Sequence, residues 1–235
     1  MNSLLTKFIF SESRKFNPKT DMEKYYDFQE KDEYYQKINH RLELNKDEEQ
    51  EHKLQWIKSQ PGVRFIDQGS SRCVFALDNK YALKVAGNIW DAGDNSYRKG
   101  IAQNKVEYKL SLNSEIHDVL AKVYDNAPDY EWIVSDLVRP LNDNDENTFY
   151  ELTGVTFNAM MSYLYQIENG NKPPSLGHFV SQIEKAVKLG KLALDDFRPN
   201  QFGKTADGRI VILDYGFSDD VQQNYYRSRS NEDGY

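Results

Sequence analysis

Acidic residues at two positions in unlike settings carry the clearest chemical potential in this sequence. Asp195 and Asp196 open the polar stretch Asp195-Asp196-Phe197-Arg198-Pro199-Asn200-Gln201-Phe202-Gly203. Asp214 follows the apolar run Ile210-Val211-Ile212-Leu213 and precedes Tyr215-Gly216. A carboxylate in a polar loop can orient a hydroxyl and accept its proton. A carboxylate lifted by a strand can hold Mg²⁺, a hard cation that prefers oxygen ligands. Phosphoryl transfer uses such a pair. Upstream, Gly69-Ser70-Ser71-Arg72 joins two strand-like runs, and a glycine at a hairpin tip lets backbone N–H groups approach a phosphate. Lys84, in Tyr81-Ala82-Leu83-Lys84-Val85, has to carry its ammonium from an apolar strand to a polar partner. Taken singly, each has a plain structural reading: a hairpin turn, an edge-strand lysine, a strand-end aspartate.

The elements that would position these residues follow from pattern. Residues 1–60 are rich in Lys, Glu, Asp, Gln and Tyr and read as a helical extension. Thr20-Asp21-Met22-Glu23 reads as a capping box. It starts a predicted helix from Asp21 towards Leu44, with Tyr25, Phe28, Tyr35 and Ile38 as its packing face. A second helix is expected over Lys46 to Ser59, stopped by Pro61-Gly62. These helices either brace the next domain or form a docking arm for another protein. From Val63 the pattern turns to strands: one at Val63 to Ile66, then Cys73 to Leu77 and Tyr81 to Val85 around the turn Asp78-Asn79-Lys80. Val85 to Gly100 reads as a loop, and Ile101 to Asn113 as a helix with Ala102, Val106 and Leu110 on one face. Glu107 follows Val106 at the border of that face and can turn inward. Leu120 to Tyr124 and Trp132 to Ser135 read as further strands. Beyond Leu152 the spacing is helical through Ile167, with Met160 and Met161 as core residues. A second helix is expected over His178 to Leu189, ended by Gly190. Asp207-Gly208 reads as a hairpin turn, and the tail after Asp219 as a fraying polar end.

Composition excludes several function classes. The net charge of −7 without a long basic run argues against nucleic-acid binding, which needs clustered Lys and Arg. The single cysteine, Cys73, rules out an intrachain disulfide, fits a reducing cytoplasm, and reads as buried rather than reactive. No apolar run is long enough to span a bilayer. Met1 to Phe10 is interrupted by Lys7 and reads as mature protein rather than a signal peptide. The histidines at 40, 52, 117 and 178 lack zinc-site spacing. No serine sits in a Gly-x-Ser-x-Gly turn.

The ordered set Gly69, Lys84, Glu107, Asp136, Asp196 and Asp214 resembles the motifs of the protein-kinase-like superfamily, especially its compact bacteriophage members. The resemblance covers residues 63 to 220. It implies an α+β, two-lobed fold: a small antiparallel-sheet N-lobe over 61–138 and a reduced helical C-lobe over 139–220, flanked by the 1–60 extension and a 221–235 tail. It implies ATP and Mg²⁺ in the cleft, in the host cytoplasm if the source is a phage. Lys84 would hold phosphates and Glu107 would orient it. Gly69, Ser70 and Ser71 would approach the phosphates, although Asp67 and Arg72 stand where the family has its other two loop glycines. Backbone groups from Asp136 to Val138 would meet the adenine edge.

In the acidic loop, matching Asp-Phe-Arg-Pro to the family's Asp-Leu-Lys-Pro makes Asp196 the base. Arg198 then occupies the lysine position, where it would offset γ-phosphate charge, and Gln201 stands where the family has a metal-binding asparagine. The other register uses Asp195 and Asn200. Asp214 in Asp214-Tyr215-Gly216 would bind Mg²⁺. Leu194 and Asp195 replace the histidine and arginine that precede the family's base, so control through activation-loop phosphorylation is not expected. The 21 residues after Asp214 hold no Ala-Pro-Glu motif, so a standard peptide platform is not expected either. Three functions remain open: an ATP- and Mg²⁺-dependent phosphotransferase, a pseudokinase acting as a nucleotide- or protein-binding module, and an AMP transferase. The expected partners are a nucleotide and, through the N-terminal helices, a protein, with neither nucleic acid nor membrane.

Overall fold

The computed structural model describes residues 16–31, 46–88, 94–141 and 146–226, with the backbone alone at 26–31, 46–49, 94–95, 146 and 196. The chain is a mixed α+β structure built around an antiparallel sheet.

Helix α1 spans Pro18–Lys31 and α2 spans Lys46–Lys58. The first turn of α1 is capped three residues earlier than Thr20–Glu23 predicts, at Asn17. The Asn17 side chain accepts from the Lys19 N–H at 3.1 Å, and the Asn17 N–H donates to Asp21 at 2.6 Å. Pro18 at the first helical position suits this start because its missing N–H is not needed there. Tyr25 is buried. The Phe28 side chain, Tyr35, Ile38, the predicted continuation to Leu44 and Met1 to Phe10 lie outside the described residues.

Strands β1 (Arg64–Gln68), β2 (Arg72–Ala76), β3 (Tyr81–Ala86), β4 (Val123–Asn126) and β5 (Trp132–Asp136) form one sheet in the order β1-β2-β3-β5-β4. Side chains alternate across a strand. Cys73, Phe75, Leu83 and Val85 therefore enter a core that also takes Phe16, Met22, Leu54, Ile57 and Trp132. That core joins α1 and α2 to the sheet, and a buried ion pair between Lys53 and Glu131 fastens α2 to it. The opposite face carries Arg72, Val74, Ala82 and Lys84, with Val74 paired to Lys84 across β2 and β3.

Helix α3 spans Asp94–Ser111 and starts seven residues before Ile101. The 94–100 part of the predicted loop is therefore helix, while Val85 and Ala86 belong to β3. Gly100 belongs to it because a Cβ there would run into the Ser71 carbonyl and sit 2.7 Å from Ala86. The predicted strand at Leu120 moves on to β4, and Leu120 forms a parallel bridge to Ile212 instead.

The second core gathers Ile116, Leu120, Phe149, Phe157, Met160, Met161, Ile183, Phe202, Val211 and Tyr215. The helical pattern from Leu152 proves to be two helices, α4 (Glu146–Thr153) and α5 (Phe157–Glu168). Gly154 turns the chain at φ +76°, and Thr156 caps α5 by accepting from the Ala159 N–H at 3.2 Å. Helix α6 spans His178–Gly190, and the residue in the left-handed conformation beyond it is Lys191, not Gly190. A short sheet pairs β6 (Arg139–Pro140), β7 (Phe202–Lys204) and β8 (Ile210–Ile212), the last two around the turn at Gly208. Asp219–Tyr225 forms α7 where a fraying tail was predicted. Ser218 caps it, Asp219 and Asp220 favour its N-terminal turn, and Val221 is buried. Among the described residues no helix is long and apolar enough to cross a membrane.

Candidate functional site

The polar face of β2 and β3 roofs a cavity of about 460 Å³. Gly69, Ser70 and Ser71 line one end, and Asp136, Leu137 and Val138 line the other. Gln201, Leu213 and Asp214 supply the floor. Glu107 stands behind this surface, fully buried.

Four ionised side chains form the cluster at the loop end. Lys84 Nζ donates to Glu107 Oε2 at 2.7 Å and to the Leu213 carbonyl at 2.6 Å. Arg72 Nη1 donates to the other Glu107 oxygen at 2.8 Å and to Asn104 at 3.2 Å, while Nη2 donates to Asp214 Oδ1 at 2.5 Å. A carboxylate this deeply buried is tolerated only when cations satisfy it, and Glu107 has one on each oxygen. Asp214 differs: its side chain is 41% exposed. Burial works to raise its pKa, but the charges of Arg72 and Lys84 outweigh this and hold it below the usual carboxylate range. Burial likewise works against the Arg72 charge, and Glu107 and Asp214 more than restore it.

Backbone packing fixes this arrangement. A Cβ at Gly216 would lie 2.8 Å from the Gln103 carbonyl, so the glycine after Asp214-Tyr215 lets that segment lie directly on α3. The Tyr215 hydroxyl donates to the Ala121 carbonyl at 2.5 Å. In the Gly69–Arg72 turn the Gly69 N–H donates to the Arg72 carbonyl at 2.8 Å, so this donor is committed within the turn itself. A Cβ at Gly69 would meet nothing within 4 Å, and the close approach instead falls on Gly100.

At the far end Asp136 is fully engaged. Its carboxylate accepts from the Lys122 N–H at 2.9 Å, the Tyr124 hydroxyl at 2.7 Å and Arg209 at 2.9 Å. Burial and this contact with Asp136 raise the Tyr124 pKa. The Asp136 and Leu137 N–H groups donate to the Lys122 and Lys80 carbonyls. The Asp136 side chain therefore ties strands together.

The acidic loop is organised differently. Leu194–Asp196 and Pro199–Gln201 are 3₁₀ turns. Asp195 is exposed and accepts from the Tyr165 hydroxyl at 3.2 Å. Arg198 does not line the cavity, and its guanidinium donates to the Asp195 and Phe197 carbonyls, both at 2.8 Å. Gln201 reaches the cavity, whereas Asn200 is exposed outside its lining. The Asp196 side chain lies outside the described residues.

Two further residues shape the cavity. Arg72 stands out in the sequence only as a departure from a glycine pattern, and the structure sets it with Val74 on the face that carries Ala82 and Lys84. Tyr226 follows α7 and closes the loop end. Its hydroxyl lies 3.3 Å from Ser70 Oγ and 3.4 Å from Gln103, and its ring packs on Phe217 and under the Lys99 ammonium. No signal in the polar tail marked it.

No family model matches the sequence. No curated protein matches it either. Among solved structures the chain is similar to a choline/ethanolamine kinase family protein from Mesorhizobium loti, with 12% identity and a TM-score of 0.32. That match covers 74% of this chain and 65% of the other, so the chain spans slightly under two thirds of that protein. It is also similar to SAICAR synthase from Saccharomyces cerevisiae in complex with SAICAR, with 13% identity and a TM-score of 0.30, covering 67% of this chain and 74% of the other. Likeness at this level places the chain in neither family, and the functional reading rests on the geometry of the cavity.

The donor set suits a magnesium ion held together with a ligand. Asp214 offers a half-exposed carboxylate and Gln201 an amide side chain, both at the cavity floor. Among the described residues no cluster of three His, Cys, Asp or Glu forms a cage. Mg²⁺ commonly takes one or two protein oxygens and completes its shell with water and phosphate.

Proposed function

We propose that this chain is an ATP- and Mg²⁺-dependent phosphotransferase of a two-lobed protein-kinase-like fold. The observation that carries the reading is the buried Lys84–Glu107 pair held over the same cavity as Asp214. Glu107 fixes the Lys84 ammonium, which then meets phosphate oxygens without paying for its orientation at the moment of transfer. Asp214, kept ionised by its cationic neighbours, and Gln201 would hold Mg²⁺, which would neutralise the charge developing on the phosphates. Leu137, Val138, Val74 and Ala82 offer an apolar slot for a base. Asp196 would orient the acceptor hydroxyl from the turn at Leu194–Asp196.

Incubation with γ-labelled and α-labelled ATP, Mg²⁺ and a cell lysate tests this reading. The expected result is γ-label on an acceptor, lost in Lys84→Met and Asp214→Asn. Transfer of α-label would instead make the chain an AMP transferase. One observation favours a second reading: Arg72 occupies an oxygen of Asp214, as a nucleotide-binding module without turnover would permit. ATP binding with no transfer of either label would establish that module.

A further inference from the structure

The loop end of the cavity contains a cation that the phosphotransferase reading leaves without a task. Arg72 begins β2 at a position where its guanidinium lines the cavity and holds Asp214 Oδ1 at 2.5 Å. Three of its five N–H bonds are committed, to Asn104, Glu107 and Asp214, and two remain. With Lys84, Glu107 and Asp214 it forms a set whose charges cancel: two cations against two carboxylates.

This balance penalises either half of a metal–phosphate ligand arriving alone. A bare divalent cation at Asp214 would stand beside the Arg72 and Lys84 charges and would compete with the Arg72 hydrogen bond for the same carboxylate. A bare polyphosphate would face the Asp214 and Glu107 carboxylates while Arg72 is turned to Asp214. Arriving together, each would remove the obstacle of the other: Asp214 would hold the cation, and the guanidinium released from it would present a planar fork that matches two phosphate oxygens.

We propose that Arg72 is a built-in substitute for the metal ion, neutralising Asp214 until a metal–polyphosphate complex arrives and then turning to the phosphate. Metal and polyphosphate therefore bind as one cooperative unit. The inference rests on the phosphotransferase reading for the class of ligand, and it gives the cation-for-arginine exchange to a residue that stands at a glycine position of the family pattern.

Calorimetry and melting curves on the full chain test the exchange with three probes: Mn²⁺ alone, tripolyphosphate alone in EDTA, and preformed Mn²⁺–tripolyphosphate. In the unmodified chain the complex is expected to bind at least about tenfold tighter than either component. In Arg72→Met, Mn²⁺ alone is expected to bind about tenfold tighter, because a competitor and a like charge are gone, while the advantage of the complex shrinks. Adding Asp214→Asn to Arg72→Met is expected to abolish that gain. Arg72→Lys keeps the charge without the fork, so Mn²⁺ alone stays weak and the complex weakens. Mn²⁺ binding that is unchanged or weaker in a folded Arg72→Met would overturn the proposal. So would equal affinity of the unmodified chain for Mn²⁺ and for the complex, or no binding of the complex. If Arg72→Met does not fold, the unmodified chain and Arg72→Lys decide. Cooperative binding without label transfer would remove the phosphotransferase reading alone. Transfer without cooperativity would remove only the role of Arg72.

Discussion

The loop end of the cavity and the acidic loop below it are built in opposite ways. At the loop end, Lys84, Glu107, Arg72 and Asp214 hold one another with bonds of 2.5 to 2.8 Å, anchored by a glutamate with no exposed surface. In the acidic loop, Asp195, Arg198 and Asn200 are exposed, and Arg198 spends its guanidinium on local carbonyls. The contrast suits a site whose phosphate end is preorganised and whose acceptor end is left to the acceptor. Charge is costly to reorganise inside a protein, and in the proposed function Lys84, fixed by Glu107, would meet phosphate without turning, while Arg72 alone would have to turn.

The largest expected effect falls on label transfer. Lys84→Met is expected to lower it by about 10³-fold, and Arg198→Ala or Asn200→Ala by about tenfold or less. Equal losses at the two ends, measured under single-turnover conditions, would dissolve the contrast. Stability comes next. Glu107→Ala leaves two buried cations short of a partner and is expected to cost about 3–5 kcal/mol in chemical denaturation. Asn200→Ala, on the exposed loop, is expected to stay within about 0.5 kcal/mol. A third test separates two glycines. Gly100→Ala forces a methyl into the Ser71 carbonyl and is expected to cost about 1–3 kcal/mol, whereas Gly69→Ala has open space and is expected to be near neutral. Similar melting temperatures for the two variants would show that α3 can retreat.

The smallest expected effect lies outside both regions, in the brace formed by α1 and α2. Partial burial lowers the His52 pKa from its usual 6.5, and its ring contacts the Tyr25 hydroxyl at 3.1 Å. The fold therefore favours the neutral imidazole. Its contribution is complete above pH 6.5 and is lost as pH falls through the lower folded value. A slight decline in melting temperature on acidification, flattened in His52→Gln, is the expected result.

The strands around the cavity are legible because short apolar runs, with the polar turn Asp78-Asn79-Lys80 beside the first, mark Tyr81 to Val85 and Trp132 to Ser135. Lys84, Glu107 and Asp214 stand out in the sequence only as members of an ordered set, through the resemblance that set carries, and not singly. Arg72 does not stand out as a site residue, because its partners lie 35 and 142 positions away and nothing near it signals a buried cation. The start of α3 was hidden for a related reason: Gly100 reads as a breaker, and only its packing against β3 explains it. The break at Gly154 was concealed by apolar residues that keep helical spacing across it. Helix α7 offers only Val221 and Tyr225 against five polar residues, too few for a periodic signal. The roles of the N-terminal helices divide in the same way, since their packing against the sheet is visible while a partner would be read only from a surface.

Gly100 has a mechanical consequence for α3. The helix touches the sheet backbone-to-backbone at this point, so it cannot slide away from β3 as a rigid rod without breaking the contact. It can tilt about the contact as a lever about a fulcrum. Glu107 lies seven residues further on, a lever arm of about 10 Å, so a tilt of a few degrees would carry its carboxylate by a fraction of an ångström. That is enough to loosen a 2.7 Å hydrogen bond to Lys84 while Gly100 stays in place.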